Sequence, residues 1–161
     1  HHKIPLLDLD ENEWDRVMNV NLKGTFLCIK HAAKLMIKNK IKGKIINISS
    51  VGADKIFSNM GAYATSKGAI NTLTKVMAVE LAYYGINVNA ISPGHINTKM
   101  NQEYLSEIPS RRKSMLSKIP ISRLGEQHEI AHTVLYLIGN DFITGQIIRV
   151  DGGLSIWQGP D

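Results

Sequence analysis

Apolar side chains recur at steps of three and four through Trp14, Val17, Met18, Leu22, Phe26, Ile29, Ala33 and Met36. That period predicts one amphipathic helix from about Asp10 to Asn39. Asp10 and Glu13 stand at capping-box spacing at its start. Asn21 and Gly24, both poor helix formers, predict a kink inside it. Lys44-Ile45-Ile46-Asn47-Ile48 is a short run rich in β-branched residues after Gly43, and reads as a strand. A loop with Gly52 and Gly61 leads to a second helix from about Ala62 to Tyr84. Its apolar stripe is Ile70, Leu73, Met77 and Leu81, and Gly85 supplies a left-handed stop. Residues 86–91 read as a second strand, ended by Ser92-Pro93-Gly94. A polar helix is expected over 101–117. Another runs from Glu126 to Ile138 on Ile130, Val134, Leu137 and Ile138, and residues 146–150 form a last strand before Gly152-Gly153.

Helices and strands alternate along the chain, which implies an α/β fold with a parallel sheet. In such sheets ligands bind at the carboxyl ends of the strands. Two loops fall there, residues 49–61 and 93–100, and the search for function narrows to them before any motif is considered.

Composition adds limits. The 161 residues suit one domain. Hydrophobic residues at 43% and charged residues at 20% are ordinary for a globular protein that buries a core. No apolar stretch is long enough to span a bilayer and no signal peptide is visible, so the expectation is a cytoplasmic protein without a membrane partner. The formal charge of +5 is spread along the chain apart from Arg111-Arg112-Lys113, so nucleic acid is not expected as a partner. Cys28, the one cysteine, excludes an internal disulfide, and its neighbours Phe26, Leu27 and Ile29 predict a buried, inert thiol. His128 and His132 are four apart, but no carboxylate completes a metal site with them. His1-His2 reads as a tag remnant or a truncated loop.

Tyr63 and Lys67 are four apart near the start of the second helix and so share a face. A free phenol titrates near 10, too high for an efficient base near neutrality. A neighbouring ammonium and the positive end of the helix both stabilise phenolate, which would make the pair a proton donor and acceptor. Ser50 falls at the carboxyl end of the first strand, where its hydroxyl could donate to a substrate oxygen. Ser49 competes with it for that role.

Together these segments carry a resemblance. Asn47-Ile48-Ser49-Ser50, Tyr63-Ala64-Thr65-Ser66-Lys67 and residues 87–94 (Asn-Val-Asn-Ala-Ile-Ser-Pro-Gly) resemble successive landmarks of the classical short-chain dehydrogenase/reductase family. Trp14-Asp15 and Val20-Asn21-Leu22-Lys23-Gly24 resemble its asparagine helix. Pro93-Gly94-His95-Ile96-Asn97-Thr98 resembles its nicotinamide-contacting loop, and Val150-Asp151-Gly152-Gly153 its C-terminal end. Order and spacing agree over residues 8–153.

The resemblance implies a Rossmann-like, doubly wound parallel sheet in three αβα layers. It also implies an enzyme that moves a hydride between NAD or NADP and a carbonyl or secondary alcohol, such as a 3-ketoacyl thioester, a sugar or polyol, or a steroid-like ketone. Tyr63 would be the general acid/base, Lys67 would hold the nicotinamide ribose, and Ser50 would orient the substrate oxygen. Asn21 would anchor a water that links Lys67 to solvent. Pro93, Gly94, Ile96 and Thr98 would wrap the nicotinamide, and residues 99–123, with a surplus of basic residues, would cover the substrate. A homotetramer or dimer is the family expectation. The family's glycine-rich phosphate loop is not in this sequence, so residues 1–161 are expected to be the C-terminal half to two-thirds of one domain, without its N-terminal βαβ units. The competing reading is a non-catalytic fragment that serves as an oligomerisation or binding module.

Overall fold

The computed structural model describes residues 4–106 and 108–158, the side chains of Met100, Tyr104 and Pro109 excepted. His1 and His2, read as a tag remnant, lie outside the described residues. After a 3₁₀ turn at Leu6–Asp8, helix α1 covers Glu11–Met18, and the Asp10 carboxylate caps it by accepting from the Asn12 amide at 2.8 Å. The expected kink takes the form of a π-helical turn, Asn19–Lys23, closed by the Gly24 amide on the Asn19 carbonyl. Helix α2 then runs over Gly24–Lys38. Strand β1 is Lys44–Ile48, and a 3₁₀ turn at Val51–Ala53 and helix α3, Gly61–Ala82, follow it. Gly85 holds φ at +70°, a region costly for any side chain, so the left-handed stop is present.

Strand β2 covers Asn87–Pro93, two residues longer at its end than the sequence suggests. Ser92 and Pro93 pair with Arg149 and Val150, and the proline's missing donor is tolerated because it is the last residue of the strand. The single polar helix expected over 101–117 is two helices, α4 at Lys99–Ser106 and α5 at Pro109–Leu116. Pro109 opens α5 where a helix has no use for an N–H, and Ile108 before it is extended, as a residue preceding proline prefers. Helix α6, Gln127–Ile138, starts with a capping box between Glu126 and Glu129. Strand β3 is Ile147–Val150.

The three strands lie in the order β1-β2-β3 and pair in parallel, with Ile48 opposite Ile91 and Ser92 opposite Arg149. Central β2 is the most buried, with Val88, Ala90 and Ile91 fully inaccessible. Ala33 of α2 and Ala78 and Leu81 of α3 pack with Ile86 and Val88 in one core. Helix α6 packs across β1 and β2. A second core gathers Val51, Leu105, Ile119, Leu124 and Leu154, with Phe57, Met115 and Leu116 against it, and seats α4 and α5 beside the loop that follows β1. Among the described residues no helix is long and apolar enough to cross a membrane.

Cys28 corrects an expectation. It is exposed, because only Ile29 and Ala33 of α2 turn fully inward while Phe26, Leu27 and Cys28 face away. Apolar neighbours in sequence fall on different sides of a helix, so they do not bury the residue between them.

Candidate active site

Parallel pairing brings the ends of β1 and β2 side by side, and the loops that carry Ser50 and Pro93 to Thr98 start there. The Ser49 amide donates to the Ile91 carbonyl at 2.7 Å, which carries the β1 pairing one residue past the strand. The two adjacent serines then part. Ser49 is buried and its hydroxyl donates to the Lys67 carbonyl at 3.2 Å, whereas Ser50 is half-buried. Ser50 Oγ accepts from the Gly52 amide at 3.1 Å and so caps the 3₁₀ turn. A lone pair is committed, and the hydroxyl proton is left to donate elsewhere.

Tyr63 sits in the first turn of α3 and its ring comes back toward Ser50. A β-carbon built on Gly52 would lie 3.4 Å from Ser50 Oγ and 3.5 Å from Tyr63 Cε1, so both groups border the same point. One turn on, Lys67 Nζ lies 5.8 Å from the Tyr63 ring centroid and donates to the Ile48 carbonyl at 2.9 Å. Burial pushes the Lys67 ammonium pKa below its ordinary value. Asn21, in the π turn, donates from Nδ2 to Ser66 Oγ at 3.0 Å, and its carbonyl accepts from the Thr25 hydroxyl at 2.7 Å. Asn21 and Lys67 both line a groove of about 670 Å³ between α2 and β1, which also exposes Cys28.

The loop after β2 forms the other wall. The Gly94 amide donates to the Val150 carbonyl at 3.0 Å, and a β-carbon on Gly94 would lie 2.8 Å from Asp151 Cα. Only glycine allows this approach of two backbones. The Asp151 carboxylate accepts from the Gly153 and Ser155 amides. Burial opposes its charge, but the hydrogen bonds outweigh burial and hold the carboxyl below its usual range. Ile96 is buried and bridges to Gly125, and the Phe57 and His95 rings approach to 6.2 Å, which joins this loop to the one after β1. Thr98 Oγ1 accepts from the Asn101 amide at 3.3 Å and caps α4.

The fold therefore brings Ser50, Tyr63 and Lys67 to one rim, with Asn21 beside Lys67 and Pro93, Gly94, Ile96 and Thr98 on the adjacent loop. Sequence reasoning gave no role to Ser66, which stands between Asn21 and Tyr63, nor to the Ile48 carbonyl that Lys67 uses. No residue-type signal marks a backbone carbonyl. Ser66 could have been noticed only from its position one turn after Tyr63.

Several known proteins are similar to this chain. The family described as enoyl-(acyl carrier protein) reductase matches residues 1–155. The 3-oxoacyl-[acyl-carrier-protein] reductase FabG of Thermotoga maritima is 41% identical over 156 residues, covering 94% of this chain and 61% of that protein. Glucose 1-dehydrogenase 2 of Bacillus subtilis is 38% identical over 152 residues, covering 93% and 58%. The crystal structure of a gluconate 5-dehydrogenase from Burkholderia cenocepacia, in complex with NADP and tartrate, superposes with a TM-score of 0.90. It is 34% identical, and the match covers 96% of this chain and 61% of that one. The chain belongs to the short-chain dehydrogenase/reductase family. It spans about three-fifths of the length of these relatives.

Proposed function

We propose that the protein is an NAD(P)-linked oxidoreductase that interconverts a carbonyl and a secondary alcohol. The convergence of Ser50 Oγ and the Tyr63 ring on Gly52, with the Lys67 amine behind the ring, carries this reading. In reduction the Tyr63 hydroxyl gives its proton to the substrate oxygen, and in oxidation it takes that proton back. Ser50, whose lone pair is held by the Gly52 amide, donates its own proton to the same oxygen and steadies the charge that develops there. The Lys67 amine stands 5.8 Å from the centre of the Tyr63 ring, and Asn21 beside it would hold a water that leads to solvent. A bound nicotinamide would supply or accept the hydride at the substrate carbon.

The residues present fit the nicotinamide end of such a cofactor. Lys67 faces the groove where a ribose would lie, and the Gly94 approach to Asp151 leaves a wall built from Pro93, Gly94, Ile96 and Thr98. None of the 161 residues forms a glycine-rich phosphate loop, so binding of the diphosphate end is assigned to no residue of this sequence. The relatives named above are by name a 3-oxoacyl-[acyl-carrier-protein] reductase, a glucose dehydrogenase and a gluconate dehydrogenase, which keeps both a 3-ketoacyl thioester and a sugar or polyol in the proposed substrate class. Residues 99–123 would cover the substrate from the second core. Copies of the chain would associate through exposed apolar residues such as Val79, Tyr83, Leu135, Tyr136 and Phe142, in the cytoplasm.

Absorbance of reduced nicotinamide, followed against a carbonyl panel, tests the reading. Turnover is expected with at least one keto substrate. Tyr63→Phe should lower it by about a hundredfold to ten-thousandfold, the usual contribution of a positioned acid/base. Unchanged turnover in folded Tyr63→Phe would overturn the assignment. No turnover in the folded protein, across panel and both cofactors, would favour the non-catalytic reading.

A further inference from the structure

We propose that Ser66 is a positioning residue, tying the π turn at Asn21 to the backbone of Tyr63 through one hydroxyl. Ser66 is fully buried in α3, between the tyrosine and the lysine of the site. Serine inside a helix is a poorer helix former than alanine and commonly spends its hydroxyl on a carbonyl one turn back. Ser66 does so, donating to the Tyr63 carbonyl at 2.7 Å. Its oxygen has a second use that local helix chemistry does not require. It accepts from Asn21 Nδ2, 45 positions away, at 3.0 Å.

The π turn explains how Asn21 reaches it. Each residue of an α-helix turns the chain by about 100°, so one extra residue in a turn changes which side chains face a neighbouring helix. Helix α3 packs against both α1 and the π turn. The Thr25 hydroxyl on the Asn21 carbonyl fixes the same residue from the backbone side. Asn21 is thus held at both ends, and its amide hydrogen bond passes through a single oxygen to the turn that carries Tyr63. Without Ser66 Oγ, the Asn21 amide loses this acceptor and the π turn loses this hydrogen-bonded link to α3. Asn21 would then be free to move relative to Lys67, which lines the same groove.

The test is a double-mutant cycle of Ser66→Ala, Asn21→Ala and the pair, read by amide hydrogen exchange and by turnover. Alanine is the better helix former, so the helix itself is not weakened. Ser66→Ala should speed exchange at residues 19–25 about fivefold, the worth of one hydrogen bond, while exchange in α6 stays unchanged. The kinetic arm rests on the proposed function. There, kcat should fall on the order of tenfold with KM little changed, and the double variant should be no slower than Asn21→Ala alone, as expected for residues in one network. Unchanged exchange at 19–25, or effects on kcat that simply add, would overturn the role of Ser66. The exchange arm needs no turnover and judges Ser66 even if the oxidoreductase reading fails. If Tyr63→Phe abolishes turnover while Ser66→Ala alters neither exchange nor kcat, the functional reading stands and this inference alone falls.

Discussion

Lys67 shows what the proposed site asks of a single side chain. Its ammonium is taken partly out of water and donates to the Ile48 carbonyl. Burial lowers its pKa from the ordinary 10.5, so the unfolded chain holds the proton more tightly than the fold does. Stability that depends on this group therefore rises with pH across the window below 10.5 and is lost as pH falls through the folded value. Melting curves of the protein and of Lys67→Met should show the wild type gaining on the variant as pH rises through the window between the lowered folded pKa and 10.5. A difference independent of pH would contradict the burial of the charge. The lysine was legible in the sequence because its four-residue spacing from Tyr63 fixes a shared face. Cys28 was not, because its apolar neighbours gave no information about which side of α2 it occupies. Ser49 and Ser50 could not be ranked until the strand end assigned one inward and the other to the rim.

At the scale of elements, what was legible was periodic. The three strands, α3 and α6 fall within a few residues of their expected places because alternation, helical stripes and Gly85 mark them. The kink at Asn21 was visible as weak propensity, but its π form was not, since an extra residue in a turn leaves no compositional trace. The stripe read on α3 was also incomplete. Ser66 and Thr74 are fully buried on the inner face, Thr74 bonding Asn47 of β1, and a hydrophobic count passes over both. Helix α6 has a start that can be tested. The Arg123 guanidinium, bonded to Glu129 at 2.7 Å, and the Glu126 amide hold the Glu129 carboxyl at about 2. The carboxylate's contribution is complete above its unfolded value and fades as pH drops toward 2. Arg123→Ala should therefore melt earlier than the wild type at neutral pH, with the gap closing below about pH 4. A gap that stays constant down to pH 2 would show that the pair does not act through charge.

For the whole molecule, the alternation of helices and strands was enough to give the parallel sheet, at whose carboxyl ends the proposed ligand chemistry lies. Assembly was not legible, because an apolar stripe that meets another copy looks the same in sequence as one that meets the core. The fold shows which apolar residues stay exposed. Leu135, Tyr136 and Ile138 of α6, with Phe142 beyond it, are more than half exposed although their own helix also supplies the fully buried Leu137. Clustered exposed apolar residues of this kind mark contact surfaces. Sedimentation should find the protein as a dimer or larger, and Leu135→Glu with Tyr136→Glu should shift it to smaller species. A monomer in both cases would remove this face from the account.

The central claim is geometric: one substrate oxygen meets both Ser50 and Tyr63 at the rim where β1 and β2 end. A crystal structure with nicotinamide and a ketone or alcohol bound measures it directly. The account predicts that oxygen at about 2.6–3.2 Å from both hydroxyls, with the Lys67 amine on the cofactor side of the phenol. A substrate oxygen bound away from both hydroxyls, or a Tyr63 hydroxyl turned from the crevice, would contradict it.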